Sequence, residues 1–249
     1  MCDQCDSPEP SLSRRELLHG AALLSAAFLT GCATQPQNEL PDPYEEQVND
    51  EFGGVIRIDP RKIVIPPPQP AQATDYGNIV PRSAWTTAPL QLRAGLPMGA
   101  INKLTIHHSG DGKMFDPKSA ADVARHLQIV REAHLQRGMI DIGYHFAVDP
   151  LGRAWQLRSL AYEGQHVRMS PGGFRNNEHN IGVVALGDFN KQTVSPGQRQ
   201  RLLELVHALR GKYFLNAAAV YMHGEIVQTD CPGRELKAAI LDARRHNQI

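Results

Sequence analysis

Residues 142–157 read IGYHFAVDPLGRAWQL, and this stretch decides the fold. Ile142–Val148 predicts a strand, Asp149-Pro150-Leu151-Gly152 a turn, and Ala154–Leu157 the returning arm of a hairpin. On either side, strands and helices alternate. Lys103–Ile106 is a short apolar strand that ends in polar residues. Asp116 as N-cap and Pro117 in the first turn predict a helix. Its apolar positions Ala121, Val123, Ala124, Leu127, Val130 and Leu135 recur at helical spacing up to Gly138. Ile181–Leu186 is almost wholly apolar, as in a strand buried on both faces. Ser195-Pro196 opens a second helix running to about Lys212, with Leu202, Leu203, Leu205, Val206 and Leu209 inward. Val220–Met222 is a further strand, and Gly233 to about His246 a last helix. Strict alternation would give a parallel, doubly wound sheet. The hairpin breaks it, so the expectation is an α/β fold: one domain with a mixed central β-sheet flanked by about three helices.

Upstream of that domain the chain changes character. Arg14-Arg15 precede an apolar run from Leu17 to Thr30, shorter than the roughly 20 residues a membrane span needs. A basic segment and a short apolar run predict an export signal over residues 1–32. The paired arginines resemble a twin-arginine signal, with Leu17 where the consensus has Phe. The run ends in Leu29-Thr30-Gly31-Cys32, which resembles a bacterial lipobox and implies a lipid anchor on Cys32. Cys2 and Cys5 would leave with the signal. The expected location is the periplasmic side of a bacterial membrane. Ala33, in place of Asp, favours the outer membrane where a cell has two. Residues 33–74 carry eight of the 18 prolines and read as a tether. Val55–Ile58 and Ile63–Ile65 are its apolar exceptions, able to pack on the domain or pair as strands. Residues 75–249 form the domain.

The whole chain is formally neutral, with 26 basic and 26 acidic residues, but residues 75–249 hold 21 basic and 15 acidic side chains. A mildly basic domain suits an anionic polymer. With neither an aromatic platform nor a clustered basic helix, no nucleic-acid partner is expected. No internal repeat is visible, and a monomer is expected. The exported form keeps one thiol, Cys231, hence no internal disulfide.

Cys231 lies in Thr229-Asp230-Cys231-Pro232-Gly233, eight residues after His223. His107-His108 close the strand that begins at Lys103. Two histidines and a cysteine form a protein ligand set for a catalytic zinc, with the fourth position open. Strand alternation puts Leu104, Ile106 and His108 on one face and Thr105 and His107 on the other, which leaves the choice of histidine open. A thiolate ahead of a helix is favoured electrostatically. The same residues also permit a Cys–His nucleophile pair, and a lone buried cysteine is most often a small core residue.

Four strings occur in order: Thr105-Ile106-His107-His108-Ser109, Ile142-Gly143-Tyr144-His145-Phe146, Asn180-Ile181-Gly182-Val183, and His223 with Thr229-Asp230-Cys231-Pro232-Gly233. Together they resemble the zinc-dependent N-acetylmuramoyl-L-alanine amidases of the type-2 family, which also includes phage amidases and the peptidoglycan recognition proteins. The resemblance covers about residues 78–245. It implies zinc held by His107, His223 and Cys231, a catalytic Tyr144, Thr229 beside the metal, and His166 binding substrate at the cleft edge. It further implies hydrolysis of the amide between N-acetylmuramic acid and L-alanine in peptidoglycan. Some members carry a carboxylate where Val183 and Val184 stand, so a carboxylate base is not expected here. The proton donor to the leaving amine stays open among His108, His145 and water, with His145 read as structural. Two other readings use the same fold: a lipoprotein that binds muropeptides without cutting them, and a purely structural link between membrane and wall. Binders typically lack the cysteine, which this chain retains at position 231.

Overall fold

A computed structural model describes residues 46–49, 55–89, 95–167 and 175–249. The expected export signal, with Cys2, Cys5, Arg14, Arg15 and Cys32, lies outside the described residues, as does the start of the tether.

Seven strands form one sheet in the order β3-β4-β7-β6-β8-β5-β9. They are β3 (Gln72–Thr74), β4 (Gly77–Val80), β5 (Lys103–His108), β6 (Phe146–Val148), β7 (Ala154–Gln156), β8 (Asn180–Ala185) and β9 (Val220–Met222). β6, β8, β5 and β9 run parallel, β7 returns antiparallel to β6, and β4 follows β7. The sheet is therefore mixed, and the hairpin is what makes it so. Asp149 builds the turn: its Oδ1 accepts from the N–H groups of Leu151 (2.9 Å) and Arg153 (3.0 Å). Its Oδ2 accepts from Arg153 Nε and the Trp155 indole. Gly152 takes φ +79° there, a region that a side chain disfavours.

The first arm is shorter than Ile142–Val148 suggests, because β6 begins only at Phe146. Ahead of it, Ile142 N–H turns to the Asp141 carboxylate and Gly143 N–H to His134 Nδ1. A Cβ on Gly143 would meet the Gln165 carbonyl at 2.7 Å. The chain bends here, and the bend carries Tyr144.

Three α-helices cover the sheet among the described residues: α1 (Ala120–Gln136), α2 (Pro196–Tyr213) and α3 (Arg234–Arg245). α1 does not start at Asp116-Pro117. Ser119 is the N-cap, accepting from Asp122 N–H, while Asp122 accepts from Lys118 N–H. That reciprocal pair satisfies the first free amides, a task Asp116 is three residues too early to perform. Ser195 caps α2 as expected.

Alternation along the strands loads both faces. Leu104, Ile106, Ile181, Val183 and Ala185 pack on Leu202, Leu205, Val206 and Leu209 of α2 and on Leu236 and Ile240 of α3. Val184, Leu186, Tyr144, Ala147 and Trp155 pack on Val123, Ala124, Leu127 and Val130 of α1, with Trp85 beside them. Each fully buried aliphatic side chain contributes about 1.5–3 kcal/mol. All six β8 residues are buried, so the centre of the sheet is rigid ground for whatever its ends carry.

Both apolar exceptions in the proline-rich stretch have partners. β2 (Val55–Ile58) pairs antiparallel with β1 (Glu46–Asn49), and Ile58 and Ile63 pack on Ile129 and Ala133 of α1.

Candidate metal centre

The parallel strands end together, and their last residues make the site. In register, Ile106 of β5 faces Met222 of β9, so the next residues, His107 and His223, come side by side with ring centroids 4.4 Å apart. After His223 the chain makes a 3-10 turn. Glu225 accepts from Met222 N–H at 2.7 Å and is itself held by Arg244. The loop then closes: Gly224 N–H donates to the Cys231 carbonyl at 2.9 Å. A Cβ on Gly224 would sit 3.1 Å from two carbonyl oxygens of this loop. The thiol is thereby returned to the strand ends.

Cys231 Sγ lies 3.7 Å from His107 Nδ1 and accepts from the His108 backbone N–H at 3.4 Å. One donor atom from each of His107, His223 and Cys231 falls within 4.8 Å of the others, and all three residues are buried. Donors sharing a tetrahedral ion stand roughly 3.3–3.8 Å apart, so little movement would bring this set onto one. Its chemistry also fits. Burial, reinforced by the His223 and His166 imidazoles, pushes His107 well below the ordinary 6.5, which keeps its ring neutral with a lone pair to give. An amide pointing at sulfur favours the thiolate. A neutral imidazole and a thiolate are the forms a metal requires, and the mixture suits a borderline-soft divalent ion such as zinc.

His108 stands on the other face of β5. Its Nδ1 accepts from Phe189 N–H at 3.3 Å, and its ring stacks towards Phe189. The choice that alternation leaves open therefore falls on His107. Tyr144 shares its side of the sheet, with the two rings 5.2 Å apart and Tyr144 also beside His134. Thr229 is half-buried, and its Oγ1 accepts from Cys231 N–H at 3.2 Å, leaving the hydroxyl hydrogen to donate elsewhere. A cavity of about 410 Å³ opens beside this loop, lined among others by Thr229, Cys231, Arg234 and Lys237. On β8 the partner of His107 is Val184, so that strand supplies no carboxylate next to the cluster.

His166 is placed differently from expectation. It is fully buried beneath His107 and not at a cleft edge. Its Nδ1 lies 2.9 Å from His107 Nε2, and its Nε2 lies 3.2 Å from the Asn180 carbonyl. Burial also holds this histidine well below the usual range. Gly164 and Gly182 make its space, since a Cβ on either would come within 2.4 Å of the ring. That requirement explains the glycine of Asn180-Ile181-Gly182-Val183, and it is the one available signal for the position of His166. His145 has both nitrogens engaged: Nδ1 accepts from Gly182 N–H and Nε2 faces the Tyr162 carbonyl. Desolvation lowers it to about 4, a structural histidine as read from the strand pattern.

Sequence reasoning misses Arg158. Its buried guanidinium donates to the carbonyls of Ile142, Asp141 and Glu163 and to the Gln165 side chain. It thus ties the bend before Tyr144 to the loop before His166. Desolvation pulls it down to about 10. Asp141, next to it, accepts from Arg131 Nε at 2.8 Å and pairs with Arg82 at 2.9 Å.

Comparison with known proteins places these residues among relatives. A family model described as N-acetylmuramoyl-L-alanine amidase matches residues 97–234. A peptidoglycan-recognition protein of Drosophila simulans is 31% identical over 164 residues, covering 64% of this chain and 84% of that protein. An N-acetylmuramoyl-L-alanine amidase of Sus scrofa is 29% identical over 167 residues, 64% of this chain but 26% of that longer protein. The structure of bumblebee PGRP-SA superposes with a TM-score of 0.57 at 22% identity, covering 71% of this chain and 95% of that one. It has the same mixed-sheet fold.

Proposed function

The chain belongs to the N-acetylmuramoyl-L-alanine amidase family, and from that premise we propose that it is a zinc hydrolase that cuts the amide between N-acetylmuramic acid and L-alanine in peptidoglycan. The family relationship supports a role on peptidoglycan. The observation that carries the finer reading is the buried cluster of His107, His223 and Cys231 with Tyr144 against it.

His107, His223 and Cys231 would hold the ion, which when bound supplies a Lewis acid and a means of ionising water near neutral pH. The chain's own residues do the rest. The His108 amide, donating to the Cys231 sulfur, would favour its anionic form. Tyr144, whose ring lies 5.2 Å from that of His107, and Thr229, which accepts from Cys231 N–H, each carry a hydroxyl, and in this reading both donate to the amide oxygen as negative charge builds on it. Val184 next to His107 gives β8 no carboxylate there, so in this reading Tyr144 would orient the attacking water. His145, with both nitrogens committed, takes no part in proton transfer.

The setting we propose is the cell wall. The protein would be exported by the twin-arginine route, anchored through lipid on Cys32 at the periplasmic side of a membrane, the outer one where two exist, and active as a monomer. The basic balance of residues 75–249 suits an anionic wall polymer.

The alternative is a lipoprotein of the same fold that binds muropeptides without cutting them. Retention of the complete donor set, Cys231 included, favours the enzyme. The two separate on purified peptidoglycan. The enzyme releases stem peptides, stops with a chelator and recovers with zinc. A protein that sediments with the wall yet releases nothing at any zinc level is the binder.

A further inference from the structure

The geometry assigns His166 a positioning role: it determines which nitrogen of His107 faces the metal position. The assignment rests on the zinc reading above and deepens it.

A hydrogen-bonded chain runs from the Asn180 carbonyl through His166 to His107. The carbonyl can only accept, so His166 Nε2, 3.2 Å from it, carries the proton. The ring is fully buried with Nε2 already donating, so in its neutral form Nδ1 presents a lone pair. The contact of 2.9 Å between His166 Nδ1 and His107 Nε2 then needs its hydrogen from His107. With the proton on Nε2, His107 turns the lone pair of Nδ1 towards Cys231 Sγ, 3.7 Å away. The opposite tautomer would set two lone pairs against each other at 2.9 Å. It would also point an N–H at sulfur, the arrangement of a Cys–His nucleophile pair. His166 therefore selects between the two chemistries that these residues allow.

The His166 ring is built to stay put. Asn177 Oδ1 accepts from the N–H groups of His166 and Val167. Gly164 and Gly182 close on the ring so tightly that a Cβ on either would lie 2.3 or 2.4 Å from its Cδ2. A metal-bound histidine held through its second nitrogen is a general device, and loss of the partner costs on the order of 10–100-fold in metal affinity.

Two measurements on the full chain test this. In the metal-free protein with 15N-labelled histidine, long-range proton–nitrogen spectra should show both His107 and His166 protonated on Nε2. A proton on Nδ1 of His107 overturns the assignment. Zinc affinity, read by competition with a chromophoric chelator, should fall roughly 10–100-fold in His166→Phe. It should largely recover in His166→Asn, whose side-chain oxygen can replace Nδ1 as acceptor. An unchanged affinity in His166→Phe, or an Asn variant as weak as Phe, overturns it as well. If the wild type itself takes up no zinc, the metal reading fails, and the tautomer spectrum still answers for His166.

Discussion

Ile106 on β5 and Met222 on β9 are parallel partners, and that register alone sets His107 against His223. A slip of one residue would turn each side chain to the opposite face of the sheet and bring His108 into the place of His107. The site therefore depends on the pairing of β5 with β9, the last strand of the sheet.

Tyr144→Phe should keep the fold and the zinc, because the ring packs on His107 and His134 and the ring is retained. Loss of the hydroxyl should lower kcat by about 10²–10³ if it donates to the developing oxyanion. Normal turnover on peptidoglycan would remove Tyr144 from the chemistry.

Gly182→Ala should destabilise the protein by about 1–3 kcal/mol, because its Cβ would lie 2.4 Å from the His166 ring. Zinc affinity should fall with it, as the ring is pushed away from His107. Denaturant unfolding beside a zinc titration checks both, and an unshifted midpoint would mean the ring moves aside at no cost.

Arg158→Leu should be more damaging than any surface charge change. Three backbone carbonyls and the Gln165 side chain would lose their donor, at about 1–3 kcal/mol for each buried group left unsatisfied. Urea denaturation should show a loss of at least about 3 kcal/mol. A near-neutral result would show that water reaches these groups.

Stability should fall as pH drops from about 6.5 towards 4. Buried His134 and His145 each titrate at about 4 in the folded protein, lowered chiefly by desolvation. Between those values the unfolded chain binds the additional protons, so the native state loses ground with falling pH. Each shift corresponds to about 3 kcal/mol at most, at 1.36 kcal/mol per unit. Against the pH curve of wild type, His134→Gln should show a shallower decline across this window. Parallel curves would contradict the assignment.

Where the sequence is readable, local chemistry and tertiary contacts agree. The hairpin is legible because Asp149 and Gly152 build its turn from within a few residues. The helix start is not at Asp116-Pro117: that pair satisfies a local pattern, while Ser119 and Asp122 cap each other's end of the same turn. The ordered motifs carry His107, His223 and Cys231; alternation alone leaves His107 and His108 open, and the structure puts them on opposite faces of β5. His166 and Arg158 are beyond local reading. The first needs the space left by Gly164 and by Gly182 on β8, and the second is held by backbone carbonyls from two loops. Neither leaves a periodic trace in the chain.

The proposed chemistry stands or falls on a zinc ion held by His107, His223 and Cys231 and required by the reaction. The most direct measurement is zinc content and stem-peptide release from purified peptidoglycan, made side by side on wild type and Cys231→Ser. The expected result is one zinc per wild-type chain with release of peptides beginning at L-alanine, and loss of both in the variant. A Cys231→Ser protein that still cleaves, or a wild type that cleaves without zinc, would contradict it.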